Sequence, residues 1–246
     1  MLSFGRQTPA RQEEFMRTLV VIPTQNEFNL FLESCAAYEL VAENLMIGKL
    51  PVVRFADLGI TLSRGGLGKV QFAVQTQHLL DAYPDWDLVI CAGAAGALVD
   101  DLSVGDVVVS TETVEHDINN KFGEPLLPRF SSAETVLSAL RFVTPVCNSF
   151  QVHFGPIASG DEDVVDTDRR KELYGLTGAL AVAWEGAGGA SACQFNNVPF
   201  VEIRGVTDRA DSDAALDFEA NLRSVMRNVV TLIISWQKSC LLEKAA

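Results

Sequence analysis

The chain is poor in the residues that would bind a polyanion. Its 246 residues carry 19 Lys and Arg against 32 Asp and Glu, a formal charge of −13. No basic cluster reverses that field locally, which speaks against nucleic acid or an anionic membrane as a partner. An apolar run long enough to cross a bilayer is also missing, and the opening MLSFGRQTPARQEEFMRTL has no signal-peptide core. Together these predict a soluble cytoplasmic protein. Five cysteines, odd in number and scattered without a CxxC pair, suit a reducing compartment. The three histidines lack helical spacing, so they make no metal site.

Several nucleotide and nucleophile motifs are missing as well. SRGGLGKV (63–70) resembles a phosphate loop, but Ser63 stands where a Walker loop needs Gly, and Val70 where it needs Ser or Thr. CAGAAGAL (91–98) reads as a tight turn after a buried strand and lacks the G-x-G-x-x-G spacing of dinucleotide binders. There is no G-x-S-x-G, and Cys91 or Cys193 would need a coincidence of folding to meet His116 as a dyad.

What the chain does have is a hydrophobic share of 48%, enough for one full core. Residues 1–17 are polar and read as a surface extension, and 18–246 as a single domain. Apolar runs of strand length recur at 19–22, 52–55, 60–62, 88–91, 107–109, 152–157, 180–184 and 200–206. Helix-period stretches lie between several of them, at 28–39, 69–81, 133–141, 168–173, 187–194 and 218–237. That alternation predicts a mixed or mostly parallel sheet with helices on both faces.

Three acids fall just after strands: Glu27 in VVIPTQNEF, Glu185 after ALAVAW, and Asp208 after VEIRGV. In an open α/β sheet such positions converge on the ligand crevice. Each also has a plain structural explanation, as a helix cap or a turn residue. Arg204 counts against the plain explanation for all three, because a buried arginine requires an acidic partner nearby. One carboxylate to protonate a leaving group, another to handle water and a third to grip ribose hydroxyls would suit cleavage of a glycosidic bond.

Seven segments in order then carry a family likeness: IPTQNEF, RGGLGKVQFA, DLVICAGAAGAL with VGDVVVST, VEHD, SGDED, AVAWEGAGGASA and VPFVEIRGVTDRAD. From about Leu19 to about Trp236 the chain resembles the nucleoside phosphorylase and nucleosidase superfamily, most closely its methylthioadenosine/S-adenosylhomocysteine nucleosidase branch. The resemblance implies a three-layer α/β/α sandwich around a twisted mixed sheet and cleavage of a nucleoside N-glycosidic bond without metal or organic cofactor. It implies Asp208 as the acid at the purine N7, Glu27 as the residue that holds or deprotonates water with Arg204 beside it, and Glu185 as the ribose clamp. Trp184 stands where the family usually has a methionine against the sugar, and Gly93, Ala94, Asp163, Val164 and Thr207 are expected to line the substrate site.

Three positions depart from the family pattern. Ala94 replaces a serine hydroxyl, Asp163 a phenylalanine that stacks on adenine, and Ala183 a frequent glutamate. With no arginine in PTQNE and no donor at Ala94, water is favoured over phosphate as the nucleophile. A phosphorylase of the same fold and a nucleoside-binding protein without catalysis remain the alternatives. Asp163 or Glu162 would favour 6-oxopurines, whose N1–H can donate to a carboxylate, unless both side chains face water and leave Val164 to line the pocket. Relatives complete the 5′ pocket with a neighbouring subunit, so a homodimer is expected, with Phe122, Leu126, Leu127 and Phe130 of His116–Phe130 at its interface.

Overall fold

The computed structural model describes residues 16–123, 127–143 and 150–245. Most of the expected N-terminal extension, together with Leu126 and Cys147, lies outside the described residues. Of its last two residues, Met16 packs against the core and the Arg17 backbone N–H donates to Asp87 Oδ2 at 2.7 Å.

Among the described residues ten strands form one mixed sheet: β1 (Thr18–Ile22), β2 (Glu43–Ile47), β3 (Leu50–Phe55), β4 (Ile60–Arg64), β5 (Leu88–Ala97), β6 (Val107–Glu115), β7 (Arg129–Ser131), β8 (Val152–Ser159), β9 (Ala181–Ala183) and β10 (Phe200–Asp208). Among the described residues six α-helices accompany them: α1 (Gln25–Cys35), α2 (Gly68–Ala82), α3 (Glu134–Phe142), α4 (Thr167–Thr177), α5 (Gly186–Asn196) and α6 (Ala214–Ala245). The chain pairs in the order β10-β6-β8-β9-β5-β1-β4-β3-β2, with β7 on β6. A further pairing of β10 with β5 closes five of these strands into a ring.

The side-chain alternation of a strand separates the two faces. Val20 and Ile22 of β1 join the cluster built with α1, α3 and α6, whereas Leu19 and Val21 join the one built with α2 and α5. Helices therefore cover both sides of the sheet, and β1 and β10 are buried along their whole lengths. This is why β1 reads as a near-continuous apolar run, whereas β10 carries Glu202, Arg204 and Asp208 among its apolar residues.

Two strands escaped the sequence pattern. In β2, an edge strand, Asn44, Leu45 and Met46 are exposed, so no burial period marks it, and β7 has only three residues. One expectation is corrected outright: CAGAAGAL is not a turn, because β5 runs on through Ala97. Its small residues let the strand pass close beneath the charged side chains of β10. A Cβ on Gly93 would stand 2.7 Å from Arg204 Nη1 and from Glu27 Oε1, and one on Gly96 would stand 2.8 Å from Asp208 Oδ1.

Candidate active site

A cavity of about 620 Å³ opens where β1, β5, β9 and β10 end, and the three acids meet there. Glu27, Ala94, Asp163, Val164, Trp184, Glu185, Arg204, Thr207 and Asp208 all line it. Gly93 does not reach the wall; it lies behind, filling the narrow space between Glu27 and Arg204.

Glu27 is a cap and something more. Thr24 and Glu27 form a reciprocal capping box at the start of α1, in which Glu27 Oε2 accepts from Thr24 N at 3.1 Å and Thr24 Oγ1 at 2.6 Å. The other oxygen, Oε1, accepts from the Ala94 N–H at 2.9 Å. Both oxygens are thus fixed, and the buried carboxylate faces the cavity in one orientation.

Glu185 reaches the site although β9 is antiparallel to β5. That pairing spans only Gly96↔Val182 and Ala97↔Ala181, so the chain beyond β9 runs back along β5 toward Gly93. Glu185 then accepts from Arg204 Nη2 at 3.1 Å and from the Gly68 N–H at 3.2 Å. Gly68 opens α2 with φ +80, a conformation that favours glycine. The N-terminus of α2 therefore faces the carboxylate with its positive dipole end. Burial nevertheless pushes the Glu185 carboxyl up, against the lowering pull of Arg204. The Ser159 hydroxyl donates to the Trp184 carbonyl at 2.8 Å and accepts from the Ala187 N–H at 2.9 Å, which pins the turn that presents Glu185.

Arg204 is buried without a bond to Asp208, the acid nearest in sequence among the three. Its Nε donates to Glu202 at 2.8 Å and its Nη2 to Glu185, while Nη1 reaches the Ala94 carbonyl at 3.3 Å. Val206 separates Arg204 from Asp208, and the register slips between Val206 and Asp208, so the two charges diverge. The expectation of an acidic partner holds, but Glu202 and Glu185 supply it.

Asp208 has neutral partners instead. Oδ2 accepts from Thr207 Oγ1 at 2.8 Å and Oδ1 from the Ala210 N–H at 2.9 Å. Burial pushes its carboxyl up; those two hydrogen bonds pull the other way, and Asp217 and Asp211 add to the rise. A carboxyl that holds its proton at higher pH than usual, on a cavity wall, is equipped to be a general acid.

Around the mouth, Glu162 is committed to Arg169, whose Nε and Nη2 each donate to it at 2.7 Å. Asp163 is exposed. Val164 is buried on the same wall, and Trp184 is half-buried. Among the described residues no group of three or more His, Cys, Asp or Glu is placed to hold a metal ion. No helix among them is long and apolar enough to cross a membrane.

Three positions that hold the site together have no role assigned by the sequence: Glu202, which stands out there only as a charge within an apolar strand, Gly68 and Thr24. The reciprocal T-x-x-E spacing of Thr24 and Glu27 was a readable signal for the third. Gly68 lay in a loop that matched no phosphate motif, and only the fold reveals that its N–H serves a carboxylate.

Comparison with known proteins bears on this arrangement. The family model described as "Phosphorylase superfamily" matches residues 17–235. A 5′-methylthioadenosine/S-adenosylhomocysteine nucleosidase from an Exiguobacterium species is 31% identical over 190 residues, 74% of this chain and 81% of that protein. The crystal structure of the Neisseria meningitidis nucleosidase of that name, in complex with methylthio-immucillin-A, superimposes with a TM-score of 0.79 at 31% identity, covering 91% of this chain and 99% of that one. Futalosine hydrolase of Helicobacter pylori shares the fold, with a TM-score of 0.80 at 24% identity over 92% of this chain and 98% of that one.

Proposed function

We propose that this chain, which belongs to the phosphorylase superfamily, hydrolyses the N-glycosidic bond of a purine nucleoside of the methylthioadenosine or S-adenosylhomocysteine kind. The observation that carries this is the division of labour on one cavity wall. Asp208 is a buried carboxyl with a raised proton affinity that forms no salt bridge among the described residues, while Glu185 is ion-paired and Glu27 is fixed at both oxygens.

In this scheme Asp208 gives its proton to N7 of the base as the C1′–N9 bond breaks, so the base leaves neutral. Glu27 orients a water on the opposite face and takes its proton as the oxygen bonds to C1′. Glu185 accepts hydrogen bonds from the ribose 2′ and 3′ hydroxyls. Trp184 and Val164 supply apolar wall beside sugar and base. Free base and the ribosyl sugar are the products.

The runner-up nucleophile is phosphate. Arg204 is the only cationic residue among the described residues that line the cavity, and Glu202 and Glu185 already neutralise it. A phosphate dianion would enter among Glu27, Glu162, Asp163, Glu185, Asp208 and Glu219 with no free cation to meet it, which favours water. Incubation with a panel of purine nucleosides, with and without phosphate, decides the matter by chromatography of free base and sugar. Release of base at a rate independent of phosphate is expected. A strict phosphate requirement with a sugar 1-phosphate product overturns it, and tight binding with no release in either buffer leaves only a binding role.

Self-association belongs to the same proposal. Phe122 is fully exposed on the 116–130 segment, and Leu67, Val70 and Val74 of the α2 region are exposed as well. Phe130 instead packs against its own subunit's cluster with α2 and α5. A homodimer is expected in sedimentation, and a strict monomer at assay concentration would remove this part.

A further inference from the structure

One buried charge of the crevice has no part in that hydrolysis. Glu202 is fully buried on β10, and its carboxylate accepts from Arg204 Nε and Thr113 Oγ1, each at 2.8 Å. Its own backbone N–H donates to Ser110 Oγ at 2.9 Å. An ionised carboxylate in such a place is strongly disfavoured unless a cation and hydrogen bonds compensate it. Room for it is made at the first residue of α5, because a Cβ on Gly186 would stand 1.9 Å from Glu202 Oε2. Two positions far apart in the chain are thus shaped around one side chain that is absent from the cavity lining.

The guanidinium shows what Glu202 does. It is a rigid planar fork with one N–H on Nε and two on each Nη, and Nη2 also donates to Cys91 Sγ at 3.3 Å. Nε is taken by Glu202, Nη2 meets Glu185 at 3.1 Å, and Nη1 reaches the carbonyl of Ala94, whose N–H holds Glu27 at 2.9 Å. Holding the fork at Nε sets the plane in which Nη2 meets Glu185.

We infer that Glu202 is a positioning residue: it fixes Arg204 at Nε, aims the guanidinium at Glu185 and cancels part of its charge. Glu185 is thereby oriented through a single bond from Arg204 to Oε2 and one from Gly68 to Oε1, and each oxygen keeps a lone pair for a diol. This rests on Glu185 being the ribose clamp. Without the Glu202 charge, the whole of the Arg204 charge falls on Glu185. The clamp then ionises at lower pH and is held more tightly by the arginine, at the expense of the sugar.

The test is Glu202→Gln beside the wild type, with kcat and KM for a hydrolysed purine nucleoside measured across pH. The expected result is a KM raised about tenfold, as for other coupled groups in one network, a smaller change in kcat, and an acid limb of kcat/KM moved to lower pH. Gly186→Ala keeps every charge but displaces the Glu202 carboxylate, and it should raise KM similarly. It serves as the second handle if Glu202→Gln does not fold by circular dichroism. Wild-type KM in a folded variant overturns the inference, as does an activity loss that tracks thermal stability while the acid limb stays in place. Absence of base release by the wild type overturns the hydrolytic function itself. A working wild type beside an unaltered variant overturns the Glu202 inference alone.

Discussion

Glu202 and Asp208 stand on the same strand, both buried, and differ in what surrounds them. Glu202 faces a guanidinium at 2.8 Å, whereas Asp208 faces a hydroxyl, a backbone N–H and, farther off, two more acids. The guanidinium stabilises a charge on Glu202, while burial and the two acids disfavour one on Asp208. Burial pushes the Asp208 carboxyl up against the pull of its two hydrogen bonds, whereas Glu202 is ion-paired with Arg204, so the same functional group meets two different surroundings on one strand.

The comparison breaks most sharply at Asp208. Asp208→Asn keeps the shape and removes the proton, so turnover should fall ~10²-fold or more while nucleoside affinity is largely retained. Stopped turnover with intact binding by calorimetry is the expected pair of results, and near-normal turnover would take Asp208 out of the chemistry. The same variant reports on stability. A carboxyl raised in the folded state favours folding most below the unfolded Asp value of about 3.9 and loses that contribution as pH rises through the folded value. Asp208→Asn should therefore gain stability relative to the wild type as pH rises over that window, in thermal melts run at each pH. A difference that does not vary with pH would mean that Asp208 titrates as it does in the unfolded chain.

Glu185→Ala tests the charged end. A ribose clamp acts in ground and transition states alike, so KM and kcat/KM should both worsen. Removing one partner of a buried pair also leaves Arg204 undercompensated, at a cost of roughly 3–5 kcal/mol. Urea unfolding and kinetics on one preparation separate the two effects, and an unchanged KM would assign Glu185 to structure alone.

A glycine pair sharpens the same contrast at smaller scale. Gly93→Ala pushes a Cβ against Arg204, Glu27 and Pro23, and overpacking of this kind costs ~1–3 kcal/mol. Gly175→Ala, inside α4 with nothing within 4 Å of the added carbon, should gain ~0.5–1 kcal/mol. Equal effects in denaturant melts would show that the space behind the acids is looser than these distances imply.

Much of this was legible beforehand, and the rest was hidden for definite reasons. The acids after β1 and β9 and at the last residue of β10 stand out because an apolar strand that ends in charge points to a crevice. The glycine and alanine run of β5 reads in the sequence as close packing at a turn, because small residues carry no period and their use depends on side chains of β10. Arg204 was known to need an acid, yet its partner could not be chosen from spacing. On β10, Glu202, Arg204 and Val206 alternate toward one face, and the slip before Asp208 is visible only once β5 is paired beside it. The closing of the sheet through β5 and β10 likewise depends on long-range pairing that no local window contains.

The smallest expected effect concerns the base, where the two acids at the mouth differ as the two on β10 do. Glu162 is gripped by Arg169 through two hydrogen bonds of 2.7 Å, so it has little freedom to meet a ligand. Asp163 is exposed beside it, on a wall shared with Val164. An ionised Asp163 offers only acceptors, which suit the N1–H of a 6-oxopurine and oppose the unprotonated N1 of adenine. Water screens a side chain so exposed, which keeps the preference modest. Asp163→Phe would replace that acceptor with an apolar face, and aromatic stacking is worth ~0.5–1.5 kcal/mol, a change of roughly two- to tenfold. The kcat/KM ratio of methylthioadenosine to inosine should therefore rise by that factor over the wild type. A ratio that does not move would mean that Asp163 faces water throughout the reaction and that Val164 and Trp184 alone shape the base site.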